Sequence, residues 1–465
     1  MIFKVRRYLW VYFLIFLYLV HIFYIIISQR FFYADGVHYF IKLLEEKTFI
    51  YADDSARHFA HYVTQFPLVI FINIFKNKSV ETLSFVYGAS LFMPQIISLI
   101  LCFYVSKKRD IRIMVFPIIS LFAITINMSF MIVHESNVIL NIFWPLLFYI
   151  LLVERYKLWD YFIVLTLGVI FLKCYEVAVF LGLILFIVTT IILFSKKNIL
   201  PINTIIILIA LMILFMISIY IAYQSIVHPR CPLNKEAFLS GGILVFKSFS
   251  ILLSILIIIL ITILFLVPKF PNSIIYRFSY VALFIFCIFT SFMPILYPEI
   301  TRPNLQYGAR VCVLILLPLF SVLAVLIING NIKVSNCSWE KVMDVIVVLV
   351  VSQLLWQIFM TSQWVGFKKI YKSELYKHTG IVKFEETILI NENVGIQLIR
   401  PLTWEWNNPS LSLLWSNDKI VKSIILNPHT YKGWEPFDAT NISELPDLSE
   451  YGIYKSYELF KKRNL

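Results

Sequence analysis

Charge is what this sequence has least of. Only 14% of its 465 residues are Asp, Glu, Lys or Arg, against about a quarter in soluble domains. With 60% of the residues hydrophobic, water is excluded as the main solvent of the chain. Six cysteines occur with no C-x-x-C pair, and Cys102, Cys287 and Cys312 fall inside apolar runs. That spacing indicates neither a disulfide framework nor a metal site. Glycine is scarce at 13, while Ile, Phe, Lys and Asn are frequent, the bias of an AT-rich bacterial genome. No repeat of fixed period and no low-complexity tract is present.

The formal charge of +13 raises the question of nucleic acid, but the Lys and Arg are scattered between apolar runs and form no single basic face. They read as topology signals and headgroup contacts, with membrane lipid as the partner. In hydrocarbon every backbone polar group needs an internal partner, so spans are helices or closed barrels, and long unbroken apolar runs are helical in type.

About 20 apolar residues cross roughly 30 Å of hydrocarbon. By that measure about eleven spans are expected, near 8–28, 83–105, 113–132, 138–153, 161–173, 176–194, 203–224, 243–267, 278–297, 311–329 and 342–361. The first follows Lys4, Arg6 and Arg7, is too long for a signal h-region and has no small-residue cleavage site, so it reads as a retained span. With those cations inside, Lys107, Lys108, Arg109 and Arg112 fall inside too, then Arg155 with Lys157, Lys196 with Lys197, and Lys269 with Arg277. The run Pro67–Phe75 has nine residues, about 13 Å of helix, too short to cross. Residues 29–82 therefore form one outer loop, with amphipathic interfacial helices near 36–46 and 55–66.

The expectation is an all-α polytopic membrane protein: a transmembrane domain over 1–361 and an extracytoplasmic C-terminal domain over 362–465. From about Gly366 the charge density rises, and short runs at Thr387–Ile390 and Val421–Leu426 read as strands of a small α+β domain. Trp404, Trp406, Trp415 and Trp434 fit either a tryptophan core or a stacking surface for sugar rings.

This topology puts ionisable residues of five outer turns at membrane height: Asp35, Asp53, Asp54, Arg57, His134, Glu135, Lys173, Glu176, Arg230, Glu299, Arg302 and Arg310. Charge near hydrocarbon is costly, and its convergence on one face marks a functional site. Asp35 has two readings, an N-cap of the first interfacial helix or a general base for an acceptor hydroxyl. Asp53 and Asp54 carry the same pair of readings ahead of the second helix. His134 and Glu135 fill a tight polar turn, and Lys173 and Glu176 stand three apart, able to pair. The segment Tyr297–Arg310 holds Glu299, Arg302 and Arg310; its two guanidiniums read either as a fork for a lipid phosphate or as headgroup contacts.

This arrangement resembles the GT-C superfamily of integral membrane glycosyltransferases: a long first outer loop, an acidic residue soon after span one (Asp35 in Tyr33-Ala-Asp-Gly36), two interfacial helices and an outer C-terminal domain. In size and topology it is similar to the bacterial and phage enzymes that glucosylate O-antigen. The resemblance implies transfer of a sugar from a polyprenyl-phosphate donor to a glycan acceptor at the outer face of the bacterial inner membrane. It implies an acidic base at Asp35, Asp53 or Asp54, basic residues on the phosphate, and no cofactor besides the lipid-linked donor. Asp35 stands alone, without the Asp-x-Asp or Asp-Glu pair of other members. The competing classes are a transporter or flippase of a lipid-linked sugar, which places charges near the midplane, and a non-catalytic envelope assembly factor.

Overall fold

The computed structural model describes residues 2–33, 35–50, 56–75, 79–122, 135–196, 198–228, 249–266, 274–296, 317–377, 380–384, 408–415, 422–426, 448 and 451. In chain order the helices are α1 Ile2–Ser28, α2 Asp35–Glu46, α3 His58–Ile74, α4 Val80–Ser106, α5 Val115–Ile119, α6 Glu135–Leu152, α7 Leu158–Phe171, α8 Ala178–Lys196 and α9 Ile202–Val227. They continue with α10 Phe249–Leu266, α11 Ile274–Leu296, α12 Leu317–Ile328, α13 Asn336–Lys377 and α14 Asn408–Trp415.

Among the described residues, six helices are long and apolar enough to cross a membrane: Leu9–Ser28, Val80–Ser106, Glu135–Leu152, Ala178–Lys196, Ile202–Val227 and Ser338–Lys377. The expected eleven is therefore corrected. The other five positions hold shorter apolar helical stretches, Ile111–Phe122, Leu158–Phe171, Ile255–Phe265 within α10, Arg277–Ile288 within α11 and Leu317–Ile328, each of 10–17 residues. The 14 residues of α7 reach about 21 Å, short of the hydrocarbon thickness.

The two ends of the bundle follow from its ion pairs. Arg109, just past α4, pairs with Glu154, just past α6, at 2.5 Å, so both helices end at one face. Arg57, just before α3, reaches Glu135 at the start of α6. Thus α3 begins on the face where α6 begins, and five residues after it ends α4 starts on that same face. Helix α3 is longer than its sequence suggests. It continues through Pro67 to Ile74, 17 residues or about 25 Å, packed along α4. The missing proline N–H is a local loss that helices in apolar surroundings absorb. The segment before it folds back on α3, where the Gln65 amide bonds both N and O of Ile50 (2.8 and 2.6 Å) and Asn73 donates to the carbonyl of Lys47 (3.0 Å).

The turn between α1 and α2 is clamped against α4 and α13 by three consecutive residues. Gln29 takes a left-handed backbone (φ 60°), unusual outside glycine, while its side chain donates to Ser84 on α4 and accepts from Lys368 on α13. The fully buried Arg30 donates to the Gln357 carbonyl (3.3 Å), the Gln357 side chain (2.6 Å) and Thr361 (2.9 Å), all on α13. Phe31 lies on Gly88 of α4 so closely that a Cβ there would sit 2.5 Å from its ring. Gly88→Ala is therefore expected to cost about 1–3 kcal/mol by overpacking. Thermal unfolding in detergent checks this, and an unchanged midpoint would mean the ring moves aside freely.

Elsewhere the core is aromatic. Phe116 meets Trp144, Phe265, Phe320 and Trp339 at centroid distances of 5.4–6.5 Å, joining α5, α6, α10, α12 and α13. At 42 residues α13 reaches about 63 Å, so it cannot lie within a bilayer of about 40–45 Å, and it passes unbroken through position 361, where the tail was expected to begin. Trp364, Phe367, Tyr371 and Leu375 form its buried stripe beyond that point, at helical spacing.

The tail's described part is not the expected α+β domain of its own. It consists of α14 and a single parallel strand pair, β1 Gly380–Phe384 with β2 Lys422–Leu426. The expected strand at 387–390 lies outside the described residues. Trp415 of α14 meets Trp364 at 5.7 Å and Tyr371 at 5.5 Å, and the Tyr371 hydroxyl donates to the Asn408 carbonyl at 2.9 Å. Trp415 is thus core; Trp404, Trp406 and Trp434 lie outside the described residues. Tyr451 donates to the Leu44 carbonyl at 3.3 Å, fastening the tail to α2.

Candidate functional site

Four chain segments meet where α2, α3, α6 and the turn before α8 come together. Arg57 is the centre. Its Nη2 lies 2.7 Å and its Nε 2.8 Å from one oxygen of Glu176, Oε1, a two-pronged contact on a single acceptor, and its Nη1 lies 3.7 Å from Glu135. The Tyr175 ring faces the guanidinium at 5.1 Å. His61, one turn along α3 from Arg57, places Nε2 3.4 Å from Glu135 and its ring 5.0 Å from that of Tyr39. Backbone geometry closes the group, since Phe59 N–H donates to the Lys173 carbonyl at 2.9 Å.

Arg57, Glu135 and Glu176 keep only 16%, 13% and 15% of their side-chain exposure. Burial alone would lower the Arg57 guanidinium, but Glu135, then Glu176 and Tyr175, outweigh it and hold it well above its ordinary value. Tyr39 is pushed well above the phenol range by burial, then by Glu135 and Asp35, with Arg57 opposing. Asp35 opens α2 and stands four residues before Tyr39, so Tyr39 joins its charge to the Arg57 group.

The group is recessed. The two helices end level, α4 is 27 residues long and α6 is 18, so Glu135 lies about 13 Å back from the level at which α4 begins. Two carboxylates face one guanidinium there, with Asp35 adding a third negative charge to the same field. Such a site favours positive charge developing on a bound molecule. At its edge the half-buried Lys173 side chain makes no hydrogen bond or ion pair among the described residues.

Of the expected site residues, Asp35, Glu135, Lys173 and Glu176 come together. Glu176 pairs with Arg57 across the fold, where the sequence suggested Lys173 three residues away. Asp53, Asp54, His134, Glu299, Arg302 and Arg310 lie outside the described residues. Tyr39, His61 and Tyr175 were not singled out in the sequence. The only signal for His61 is its place four residues after Arg57, on the same helix face. Among the described residues no group of three or more His, Cys, Asp or Glu stands where it would hold a metal ion. No family model matches the chain, and no curated protein or solved structure matches it either.

Proposed function

We propose that this protein is a membrane glycosyltransferase of the GT-C type, moving a sugar from a polyprenyl-phosphate donor to a glycan acceptor at the outer face of the inner membrane. The observation that carries the reading is the recessed, carboxylate-rich group around Arg57, assembled from α2, α3, α6 and the turn before α8. Sugar transfer passes through a state with cationic character at the anomeric carbon, and an excess of fixed carboxylate beside it lowers that barrier.

The atoms move as follows. Asp35 takes the proton of the acceptor hydroxyl, whose oxygen bonds to the anomeric carbon while the bond from that carbon to the phosphate oxygen breaks. The electron pair leaves with the polyprenyl phosphate, whose charge is met by a cation. Lys173 fills that role among the described residues, and Arg302 and Arg310 are further candidates from the sequence.

The reading is tested with purified protein in proteoliposomes, by following a labelled sugar from polyprenyl-phosphate donor into an acceptor glycan. Transfer that depends on both substrates is expected; its absence with every donor of this class would refute the proposal. Lys173→Gln is expected to raise the KM for donor about 10- to 100-fold while leaving acceptor KM unchanged, since loss of one ionic hydrogen bond to phosphate costs about 1.5–3 kcal/mol. Equal donor KM values would remove Lys173 from the phosphate site.

A further inference from the structure

The opposite face of the bundle carries a second, separate constellation. Glu154, just past α6, accepts from Arg109 at 2.5 Å and lies 3.7 Å from Lys196 at the end of α8. Its backbone carbonyl accepts from Thr204 at the start of α9 (3.4 Å). One residue thus gathers the ends of α4, α6 and α8 through its exposed carboxylate and the start of α9 through its backbone, and Arg109 with Lys196 holds its carboxyl below the usual range.

The cations beside this node are not neutralised. Lys107 and Lys108 are exposed, resting on the Tyr104 ring at 5.4 and 4.0 Å, with no carboxylate partner among the described residues. Arg155 and Lys157, also exposed, make no side-chain ion pair among the described residues. The nearby acids are spent: Asp110 on Arg112 at 2.7 Å, and the buried Asp160 on the Lys157 backbone N–H at 2.9 Å. Lys108 and Arg155 each adjoin one end of the Arg109–Glu154 bridge, so their backbones are held close together. Next to them Leu158 and Trp159 are 80% and 75% exposed, an apolar and aromatic pair placed for the acyl and headgroup boundary.

We propose that this face is a binding site for the phosphodiester headgroup of an anionic phospholipid, held by Lys107, Lys108, Arg155 and Lys157, with Leu158 and Trp159 against its acyl chains. Surplus positive charge between helix ends, bordered by exposed apolar side chains, is complementary to that partner and not to a soluble protein. The Glu154 node fixes the spacing of the helix ends that present it. This site is independent of the sugar-transfer reading.

The test uses the full chain in detergent, measuring binding and thermal midpoint against phosphatidylglycerol, phosphatidylcholine and inorganic phosphate at low and high salt. Phosphatidylglycerol is expected to bind and to raise the midpoint, more weakly at high salt. Lys108→Gln combined with Arg155→Gln is expected to weaken it about 25-fold, roughly five-fold per cation. Lys107, Arg109 and Arg112 remain to keep the orientation. Equal effects of the two lipids, phosphate binding as tight as the lipid, or a double variant that binds like the wild type would each overturn the proposal. If the double variant does not fold, the comparison of the two lipids on wild type decides alone.

Discussion

Asp35→Asn is expected to slow sugar transfer by a factor of about 10²–10⁴ while leaving the protein inserted and folded, because general-base assistance is typically worth that much. Asn retains a side chain that accepts hydrogen bonds at a helix start, so the first turn of α2 keeps its support and the change isolates the proton acceptor. The carboxylate lies in the right setting for that role. It opens α2, which is clamped to the bundle through Arg30 and fastened to the tail through Tyr451 and Leu44. The measurement is turnover at saturating donor and acceptor, beside the thermal midpoint of the same preparation. Activity within a few-fold of wild type would clear Asp35 and move the base to Asp53 or Asp54. A lowered midpoint with unchanged activity would make Asp35 a helix cap only.

Arg57→Met should be the most destabilising single change at the site, by about 3–5 kcal/mol, because it leaves Glu135 and Glu176 mostly buried with their shared cation gone. The loss should be partly recovered in the combination with Glu176→Gln, which removes one of the two stranded charges. Unfolding of the purified chain in detergent measures both. A loss under about 1 kcal/mol would place the pair with exposed surface bridges and remove it as the organiser of the recess. Arg57 positions the carboxylates, so Arg57→Lys is informative too. It retains the charge but not the two-pronged contact with Glu176, and is expected to hold more stability than activity.

The sequence carried the charged group around Arg57 about halfway. Asp35, Glu135, Lys173 and Glu176 were visible because charge is rare in so apolar a chain, and rarity makes each instance informative. Their grouping was legible only as a shared face. Pairing Glu176 with Lys173 followed from local spacing, but the guanidinium of Arg57, 119 positions away in the chain, takes its Oε1 with two nitrogens, Nε and Nη2. His61 and Tyr39 were hidden because a histidine and a tyrosine on apolar helix faces look like ordinary packing residues.

By itself the sequence determined that the chain is helical and membrane-embedded, since hydrocarbon leaves the backbone no other partner over long apolar runs. It also located α1, α2, α4, α8 and α9 to within a few residues, because apolar period and length are local properties. Tertiary structure decided what depends on distant residues. It carried α3 through Pro67 and α13 past 361, where packing outweighs a local break signal and a rise in charge. It left α7 at 14 residues, too short to cross, and six helices among the described residues long and apolar enough to do so. It also chose the partner of Glu176, because in a low-dielectric recess the strongest contact is set by which charges the fold brings within 3 Å, and chain separation imposes no penalty once the fold is formed.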